Sequence, residues 1–318
     1  MLYSPAAMHI PDGFLSTIVA IVGWVLAVIL IGVAIRQTRN QLGERQVPLM
    51  GILAAFIFAA QAINFPIAAG TSGHLLGGAL AAIVLGPWAA TLIMTSVIGV
   101  QALLFQDGGL LALGWNIINM GVLTAFAGYA CYRLLLRWIG EKPTARVAAS
   151  FAAAWLSVEI GALATSVELA LSGTSPLQFA LPAMAGVHAL IGVGEGLITG
   201  GAVGLLQASR PEVLRTGEQA PGRKGATFVL AGLLIALLIA AFSPLASPHP
   251  DGLEYVAGQS GFLERAAEPL YSLLPDYTVP IIHGAALTTI AAVALGTLIV
   301  FGLAWVVGRG VLRLERKR

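Results

Sequence analysis

The chain contains 318 residues, of which 58% are hydrophobic and 10% are charged, with a formal net charge of +2. Soluble globular proteins carry about 25% Asp, Glu, Lys and Arg, so this composition excludes a soluble single domain. The apolar residues fall in blocks of about 18 to 28 residues, long enough to cross a hydrocarbon layer of about 30 Å as helices. The sequence therefore predicts an all-α, polytopic membrane protein.

Nine apolar segments are predicted to cross the membrane, seven in a core and two in a C-terminal unit. The segment at 73–86 is short and begins in a glycine-rich stretch, so we expect it to be tilted or to span only part of the bilayer. The predicted spans are 17–35, 49–69, 73–86, 87–105, 110–136, 146–171, 180–206, 225–244 and 280–307.

Lysine and arginine mark one side of this arrangement. Positively charged loops are retained in the cytoplasm, so the basic segments are predicted to face inward, the N-terminus outward and the C-terminus inward. Arg265 alone falls on the outer side. The basic segments are 36–45, 133–146, 209–224 and 308–318.

Composition also divides the chain into units. Residues 209–224 are polar, contain two prolines and two glycines, and read as a cytoplasmic linker. They separate a seven-span unit, 8–208, from a two-span unit, 225–318. The second unit encloses an outer loop, 245–279, which is longer than a minimal connection and is expected to be functional.

Motifs typical of several classes of enzyme are missing from this sequence. The sequence contains no phosphate-binding loop, no HExxH zinc helix and no nucleophile elbow, which argues against an enzyme and assigns any ATP hydrolysis to another subunit. Cys131 is the only cysteine, so a thiolate cluster cannot form within one chain. A metal would need nitrogen or oxygen ligands.

The segment Met8-His9-Ile10-Pro11-Asp12 precedes the first span. If Met8 is the mature N-terminus, its α-amine, the His9 backbone nitrogen and the His9 imidazole can close two fused chelate rings on one metal. Such a planar nitrogen set suits Ni(II) or Cu(II), with Co(II) as an alternative. His74, at the predicted outer end of a span, is a candidate fourth donor. By spacing alone, His9 could equally be an interfacial residue and His74 a helix cap.

Four motifs resemble one family, the CbiM/NikM substrate-capture membrane components of cobalt and nickel energy-coupling-factor (ECF) importers. They are MHIPDGFLS, NFPIAAGTSGHLLGG, QDGGLLALGWNIINMG and HALIGVGEGLIT, and they occur in this order between residues 8 and 208. The resemblance implies that the metal is held by the Met8 amine, by His9 through its backbone nitrogen and imidazole, and by His74.

The resemblance also implies partners and a location. A transmembrane coupling protein (CbiQ/NikQ-like) and ATPase subunits (CbiO/NikO-like) would complete the importer in a bacterial or archaeal cytoplasmic membrane, surrounded by lipid and without nucleic acid. The chain would capture Co(II) or Ni(II) as cargo at the outer face, deliver it to the cytoplasm and hold no permanent cofactor. The donors suit both metals, so the sequence does not choose between cobalt and nickel.

Seven residues before Met8 depart from the family pattern. With them attached, the Met8 amine is an amide and the chelate loses a donor. Either translation that begins at Met8 or cleavage after Ala7 would restore the amine. Because residues 1–7 contain no apolar stretch typical of a signal peptide, we expect the start at Met8.

Polar residues near the outer ends of the spans are candidates for supporting roles. Asn64, Asn116 and Asn119 are expected either to orient the ligand histidines or to make hydrogen bonds between helices. Gln106 and Asp107 lie in an outer turn that the resemblance suggests as a lid.

Three glutamates, Glu159, Glu168 and Glu195, fall inside predicted spans. Intramembrane carboxylates are functional candidates by default, although a structural hydrogen-bonded role is equally consistent with the pattern. A proton-coupled secondary metal transporter that uses them is the alternative function. The sequence shows no repeat symmetry to support it.

The two-span unit contains Pro250-Asp251-Gly252-Leu253-Glu254, which resembles the PDGLE domain associated with these capture proteins. The resemblance implies an accessory role in metal loading for His249, Asp251 and Glu254. Alternatively, the motif shapes a loop whose charges are solvated.

Overall fold

The computed structural model describes residues 9–44, 46–214 and 225–315. Residues 1–8, Arg45, most of the predicted linker (215–224) and 316–318 lie outside this description. Within it, sheet structure is confined to a hairpin in which β1 (Phe65–Pro66) pairs antiparallel with β2 (Ser72–Gly73). The helices are α1 (Thr17–Arg39), α2 (Val47–Gln61), α3 (Gly78–Leu85), α4 (Pro87–Val100), α5 (Leu113–Ile117), α6 (Thr124–Ile139), α7 (Pro143–Leu171), α8 (Leu177–Ser209), α9 (Gly225–Ala241), α10 (Gly252–Gln259) and α11 (Ala285–Glu315).

Six helical segments of the described chain are long and apolar enough to cross a membrane. They are Thr17–Arg39, Pro87–Phe105, Pro143–Leu171, Leu177–Ser209, Thr227–Leu245 and Ala285–Arg313, and the apolar helix Val47–Gln61 is shorter. The all-α membrane fold predicted from composition is therefore confirmed.

Three of the nine predicted spans have no counterpart among these six helices. The segment predicted at 110–136 is divided into α5, a π-helical segment and α6. The segment predicted at 49–69 is helical only to Gln61, after which the chain turns into the β1–β2 hairpin. The segment predicted at 73–86 is helical only over α3, whose eight residues extend about 12 Å and cannot cross a bilayer as a helix. Gly77 and Gly86 flank α3 with φ of 82° and 83°, left-handed conformations that set its two ends.

Two π-helical segments interrupt the α-helices. Gln101–Phe105 extends α4, and Ile118–Leu123 joins α5 to α6. π-Helical turns are frequent at functional sites because they re-aim the side chains that they carry. The first leads directly into Asp107 and the second carries Asn119, two residues expected to support the site.

The two C-terminal helices, α9 and α11, lie against α2 of the core. The fit depends on small residues, since a Cβ on Gly296 of α11 would lie 2.2 Å from the Phe58 ring of α2. The loop between α9 and α11 is thereby held over the β1–β2 hairpin, where Ser247 N–H donates to the Asn64 carbonyl (2.8 Å). We refer to residues 245–279 as the accessory loop.

Candidate metal site

The N-terminal segment before α1 is anchored by Asn116 of α5. The Oδ1 atom of Asn116 accepts a hydrogen bond from Ile10 N–H, and its Nδ2 donates to the Ile10 carbonyl, both at 3.1 Å. Gly109 N–H donates to the same carbonyl at 2.9 Å. Because this amide satisfies both backbone polar groups of Ile10, it sets the position of the preceding residue, His9.

Asp12 fixes the same segment from its other end. Its carboxylate accepts hydrogen bonds from three successive backbone N–H groups that precede α5, those of Leu110 (3.1 Å), Leu111 (2.8 Å) and Ala112 (3.1 Å). An anion at a helix N-terminus is stabilised by the unpaired N–H groups there. The sequence analysis assigned Asp12 no such role, because its partners are about a hundred residues away.

His74 follows β2 in a non-helical stretch that leads into α3. Its Nδ1 lies 2.9 Å from the Leu75 carbonyl oxygen. Since a carbonyl only accepts, Nδ1 carries the proton in this geometry and Nε2 carries the lone pair.

His9 and His74 are brought together in the fold. Their ring centroids are 5.6 Å apart with an interplanar angle of 83°, and the two residues are 2% and 7% exposed. His9 Nε2 is buried and has no hydrogen-bond partner among the residues that the structure describes, and both rings line a cavity of about 70 Å³. Two imidazoles facing one small buried cavity form an arrangement that can hold a cation through nitrogen.

Met8, the remaining predicted donor, lies outside the described residues. Within 9–44, 46–214 and 225–315, no group of three His, Cys, Asp or Glu side chains is arranged to hold a metal. A complete nitrogen site built on His9 and His74 would therefore need backbone donors as well.

Asp107 lies beside His9. His9 Nδ1 is 3.1 Å from the Asp107 carbonyl oxygen and 3.4 Å from its carboxylate Oδ1. Gln106, the residue before it, adopts a left-handed backbone (φ 57°), which such a side chain rarely does and which indicates a constrained turn. Gln106 itself contacts the accessory loop, where Leu273 N–H donates to its Oε1 (3.4 Å).

Tyr277 of the accessory loop completes this contact. Its hydroxyl donates to Asp107 Oδ2 at 2.7 Å, and its ring stacks on Phe105 with centroids 4.7 Å apart. Burial and the nearby Asp107 charge raise the pKa of the Tyr277 hydroxyl well above its ordinary value, so it stays protonated and donates. The sequence analysis missed Tyr277, since an isolated tyrosine in a long loop carries no pattern.

The three asparagines have different surroundings. Asn116 binds the Ile10 backbone as described, whereas Asn119 Nδ2 donates to Glu168 Oε2 (2.9 Å) and to Thr165 Oγ1 (3.2 Å) while lining the cavity of the histidines. Asn64 lines a separate cavity of about 270 Å³ under the accessory loop.

The PDGLE motif packs directly on the segment that carries His74. Ser72 of β2 donates its backbone N–H to the Pro250 carbonyl (2.8 Å) and its hydroxyl to the His249 carbonyl (2.7 Å). Asp251 lines the cavity of the two histidines, and its carboxylate accepts from Glu254 N–H (2.7 Å) to cap α10. Burial raises the pKa of the Asp251 carboxyl.

His249 and Glu254 lie on the other side of that motif. Both line the 270 Å³ cavity, together with Asp107 and Asp251. Asp107 and Asp251 therefore both line the larger cavity. Asp107 also contacts His9, and Asp251 also lines the smaller cavity.

His188 is a third histidine of the small cavity. It lies on α8, and its Nδ1 is 2.8 Å from the Met184 carbonyl oxygen. A Cβ on Gly252 would approach its ring to 2.8 Å, so the glycine of the PDGLE motif permits this close packing. The sequence alone gave no signal that His188 lines this cavity.

Two of the three buried glutamates have partners in this region. Glu168 binds Asn119, and the Glu195 carboxylate accepts hydrogen bonds from Leu76 N–H (2.6 Å) and Gly77 N–H (2.8 Å). Glu159 on α7 is buried, and its Oε1 has no hydrogen-bond partner within residues 9–44, 46–214 and 225–315.

Comparison with known proteins identifies the family. Residues 9–213 match the CbiM family, described as the cobalt uptake substrate-specific transmembrane region. The chain belongs to the CbiM family. Residues 226–313 match the PDGLE domain, which confirms both resemblances. Members of this family are membrane transport proteins.

Similar proteins span the whole chain. A putative fused nickel transport protein NikMN of Archaeoglobus fulgidus is 39% identical over 95% of this chain and 98% of its own length. The fused nickel transport protein NikMN of Rhodobacter capsulatus is 33% identical, covering 93% and 96% of the two chains. The cobalt transport protein CbiM of Geobacter sulfurreducens is 31% identical, covering 85% and 82%.

A solved structure shares the fold of the core. The crystal structure of a truncated transition metal transporter has a TM-score of 0.57 and 37% sequence identity, and the match covers 63% of this chain and 98% of that chain. The shared part is close in extent to the CbiM region.

Proposed function

We propose that this protein is the substrate-specific membrane component of an ECF-type importer, which captures Ni(II) or Co(II) at the outer face and delivers it to the cytoplasm. The observation that carries the proposal is the meeting of His9 and His74 at one buried cavity, with centroids 5.6 Å apart. The names of the fused nickel and cobalt relatives support a transition metal as cargo.

In this proposal, Met8 supplies its amine, His9 its backbone nitrogen and imidazole, and His74 its Nε2. The ring nitrogen that closes a chelate with the His9 backbone nitrogen is Nδ1, which in this structure faces the Asp107 carbonyl (3.1 Å). Metal binding at Nδ1 therefore has to displace that contact and move the proton to Nε2. Nickel and cobalt are both compatible with these donors.

The PDGLE unit acts in loading rather than as a ligand. Its motif packs on β2, and its acidic side chains border both cavities. Asp251, Glu254 and His249 then attract the cation towards the site. The domain division that follows is a capture unit at 8–208, a cytoplasmic linker at 209–224 and the accessory unit at 225–318.

The orientation and partners follow from charge and family. The basic segments face the cytoplasm, the N-terminus lies outside, and a coupling protein with ATPase subunits supplies the energy for inward release. The protein itself catalyses no covalent reaction and holds no resident cofactor. Metal uptake should cease without the ATPases; uptake that persists without them but stops with an uncoupler would instead support proton coupling.

The site is tested by His74→Ala. Loss of one ring nitrogen should weaken metal binding more than about 100-fold, since even the partners of a ligand are worth about 10- to 100-fold. The matched control is His283→Ala, which removes an exposed imidazole beyond the accessory loop. Metal content of purified protein is the measurement, and near-normal metal on the His74 variant would refute the proposal.

The N-terminus is tested separately by intact mass combined with elemental analysis. A chain that starts at Met8 should carry equimolar nickel or cobalt, because its amine is free to bind. A chain that keeps Met1 should bind weakly, since the Met8 nitrogen is then an amide. Tight binding to the longer chain would mean that the ligand set is different.

A further inference from the structure

The residues that follow His74 are held by side chains from two helices, α8 and α2. On α8, the Glu195 carboxylate accepts hydrogen bonds from Leu76 N–H and Gly77 N–H, at 2.6 Å and 2.8 Å. On α2, Gln61 Nε2 donates to the Leu76 carbonyl at 2.8 Å. Both side chains are fully buried. The non-helical backbone between β2 and α3 thus has its polar groups satisfied by side chains, as an apolar environment requires.

Gly77 lets this stretch lie close against α2. Its backbone is left-handed (φ 82°), and a Cβ there would lie 2.7 Å from the Ile57 side chain of α2. The backbone is therefore pressed onto α2 on one side while Glu195 holds it from α8. The stretch has one defined location between the two helices.

A single peptide group links Glu195 to His74. The Leu75 carbonyl and the Leu76 N–H belong to the same planar peptide unit. His74 Nδ1 lies 2.9 Å from that carbonyl oxygen, and the N–H donates to Glu195 Oε2. The orientation of the carboxylate thereby fixes the plane of the carbonyl that orients the imidazole. An acceptor at one end also strengthens the hydrogen bond at the other, because the hydrogen bonds of a chain polarise one another.

We propose that Glu195 is a positioning residue for His74, acting through the 75–76 peptide to aim the imidazole at the cavity that it shares with His9. The inference rests on the proposed function, since it assigns Glu195 to the binding of the same cargo. It also connects α8 mechanically to the site, because a displacement of α8 at Glu195 would carry the His74 backbone with it.

The test compares Glu195→Gln with Glu159→Gln. In Glu195→Gln, the side-chain amide retains one acceptor oxygen but presents an N–H₂ group to the second backbone N–H. One hydrogen bond is therefore lost and the carboxylate is removed. Glu159 is a buried glutamate of α7 with no hydrogen bond to residues 74–77, so its variant controls for the loss of an intramembrane carboxylate. Glu195→Asp keeps the charge on a shorter side chain and serves if the glutamine variant does not fold.

Two measurements are made on each purified full-length variant. The first is Ni(II) and Co(II) affinity by competition with a chelator, where Glu195→Gln should bind about 10- to 100-fold more weakly, as expected for a partner of a metal ligand. Glu195→Asp should fall between it and the wild type, and Glu159→Gln should stay within about threefold. The second is the ¹⁵N chemical shift of the His74 ring in metal-free protein, which should change in Glu195→Gln and not in Glu159→Gln.

The outcomes separate the two proposals. Unchanged affinity and an unchanged His74 ring shift in both Glu195 variants would overturn the inference, as would equal effects of the Glu195 and Glu159 substitutions. A wild-type protein that binds neither metal would refute the proposed function. The ring shift would still decide whether Glu195 orients His74, because it is recorded without metal.

Discussion

Asn116→Ala should release the N-terminal segment from the site. The variant loses both hydrogen bonds to Ile10, each 3.1 Å long and buried. The Ile10 carbonyl keeps its bond from Gly109 N–H (2.9 Å), but within the described part of the chain the Ile10 N–H has no other acceptor and becomes a buried unpaired donor. A neutral hydrogen bond contributes about 0.5–1.5 kcal/mol, and an unpaired buried group costs about 1–3 kcal/mol.

These values add to about 1.5–4.5 kcal/mol, and we expect the lower part of that range, about 1.5–3 kcal/mol, because the Ile10 carbonyl remains hydrogen-bonded. A free energy of about 2.7 kcal/mol corresponds to a hundredfold change in an equilibrium constant. Because apparent affinity scales with the population of the competent state, metal binding should weaken by up to about 100-fold. Hydrogen exchange of the peptide that contains residues 9–14 should accelerate in metal-free protein for the same reason.

The matched control is Asn64→Ala. The Oδ1 atom of Asn64 is buried without a partner, and the contact of this residue with Ser247 uses its backbone carbonyl, which alanine retains. Its affinity for metal should stay within about threefold of the wild type, because the docked population is unchanged. The reasoning is refuted if Asn116→Ala keeps both wild-type affinity and wild-type exchange.

Two further perturbations test the contacts of the accessory loop. Tyr277→Phe should lower the free energy of unfolding by about 1.5–3 kcal/mol, because it removes a hydrogen bond to the Asp107 carboxylate. The control Tyr271→Phe removes an exposed hydroxyl contact and should lower the free energy of unfolding by less than about 1.5 kcal/mol. Equal melting temperatures for the two variants would contradict this prediction. Gly13→Ala should cost about 2–4 kcal/mol, since the residue has φ of 93° and its Cβ would lie 2.0 Å from a carbonyl oxygen of the loop. The control Gly70→Ala imposes a similar backbone strain (φ 77°), but its Cβ would meet no atom within 4 Å. If both variants lose the same free energy of unfolding in chemical denaturation, the steric argument is wrong.

The helices were predictable because their signal is local. An apolar run long enough to cross a bilayer must satisfy its backbone within itself, so α1, α7 and α8 appear in the sequence with errors of a few residues. The prediction was wrong where side chains from elsewhere satisfy the backbone. Glu195 and Gln61 support a non-helical stretch before α3, and a run of apolar letters at 73–86 does not reveal this support.

The site was predictable in composition rather than in geometry. Family motifs pointed to His9 and His74, but their approach to 5.6 Å depends on contacts between distant positions. Asn116 lies 106 residues from its partner Ile10. Asparagine at that position is compatible with a helix contact or with a ligand-orienting role, and only the docked N-terminal segment distinguishes them.

The sequence by itself determined the membrane class and the residue types available to bind a metal, because apolar length and donor chemistry are properties of short segments. The tertiary structure alone decided which of those residues meet. Tyr277 and Asp107 are 170 residues apart, and Glu195 is 118 residues from Gly77. Such pairs form because a buried polar group must find a partner wherever the packing of helices brings one.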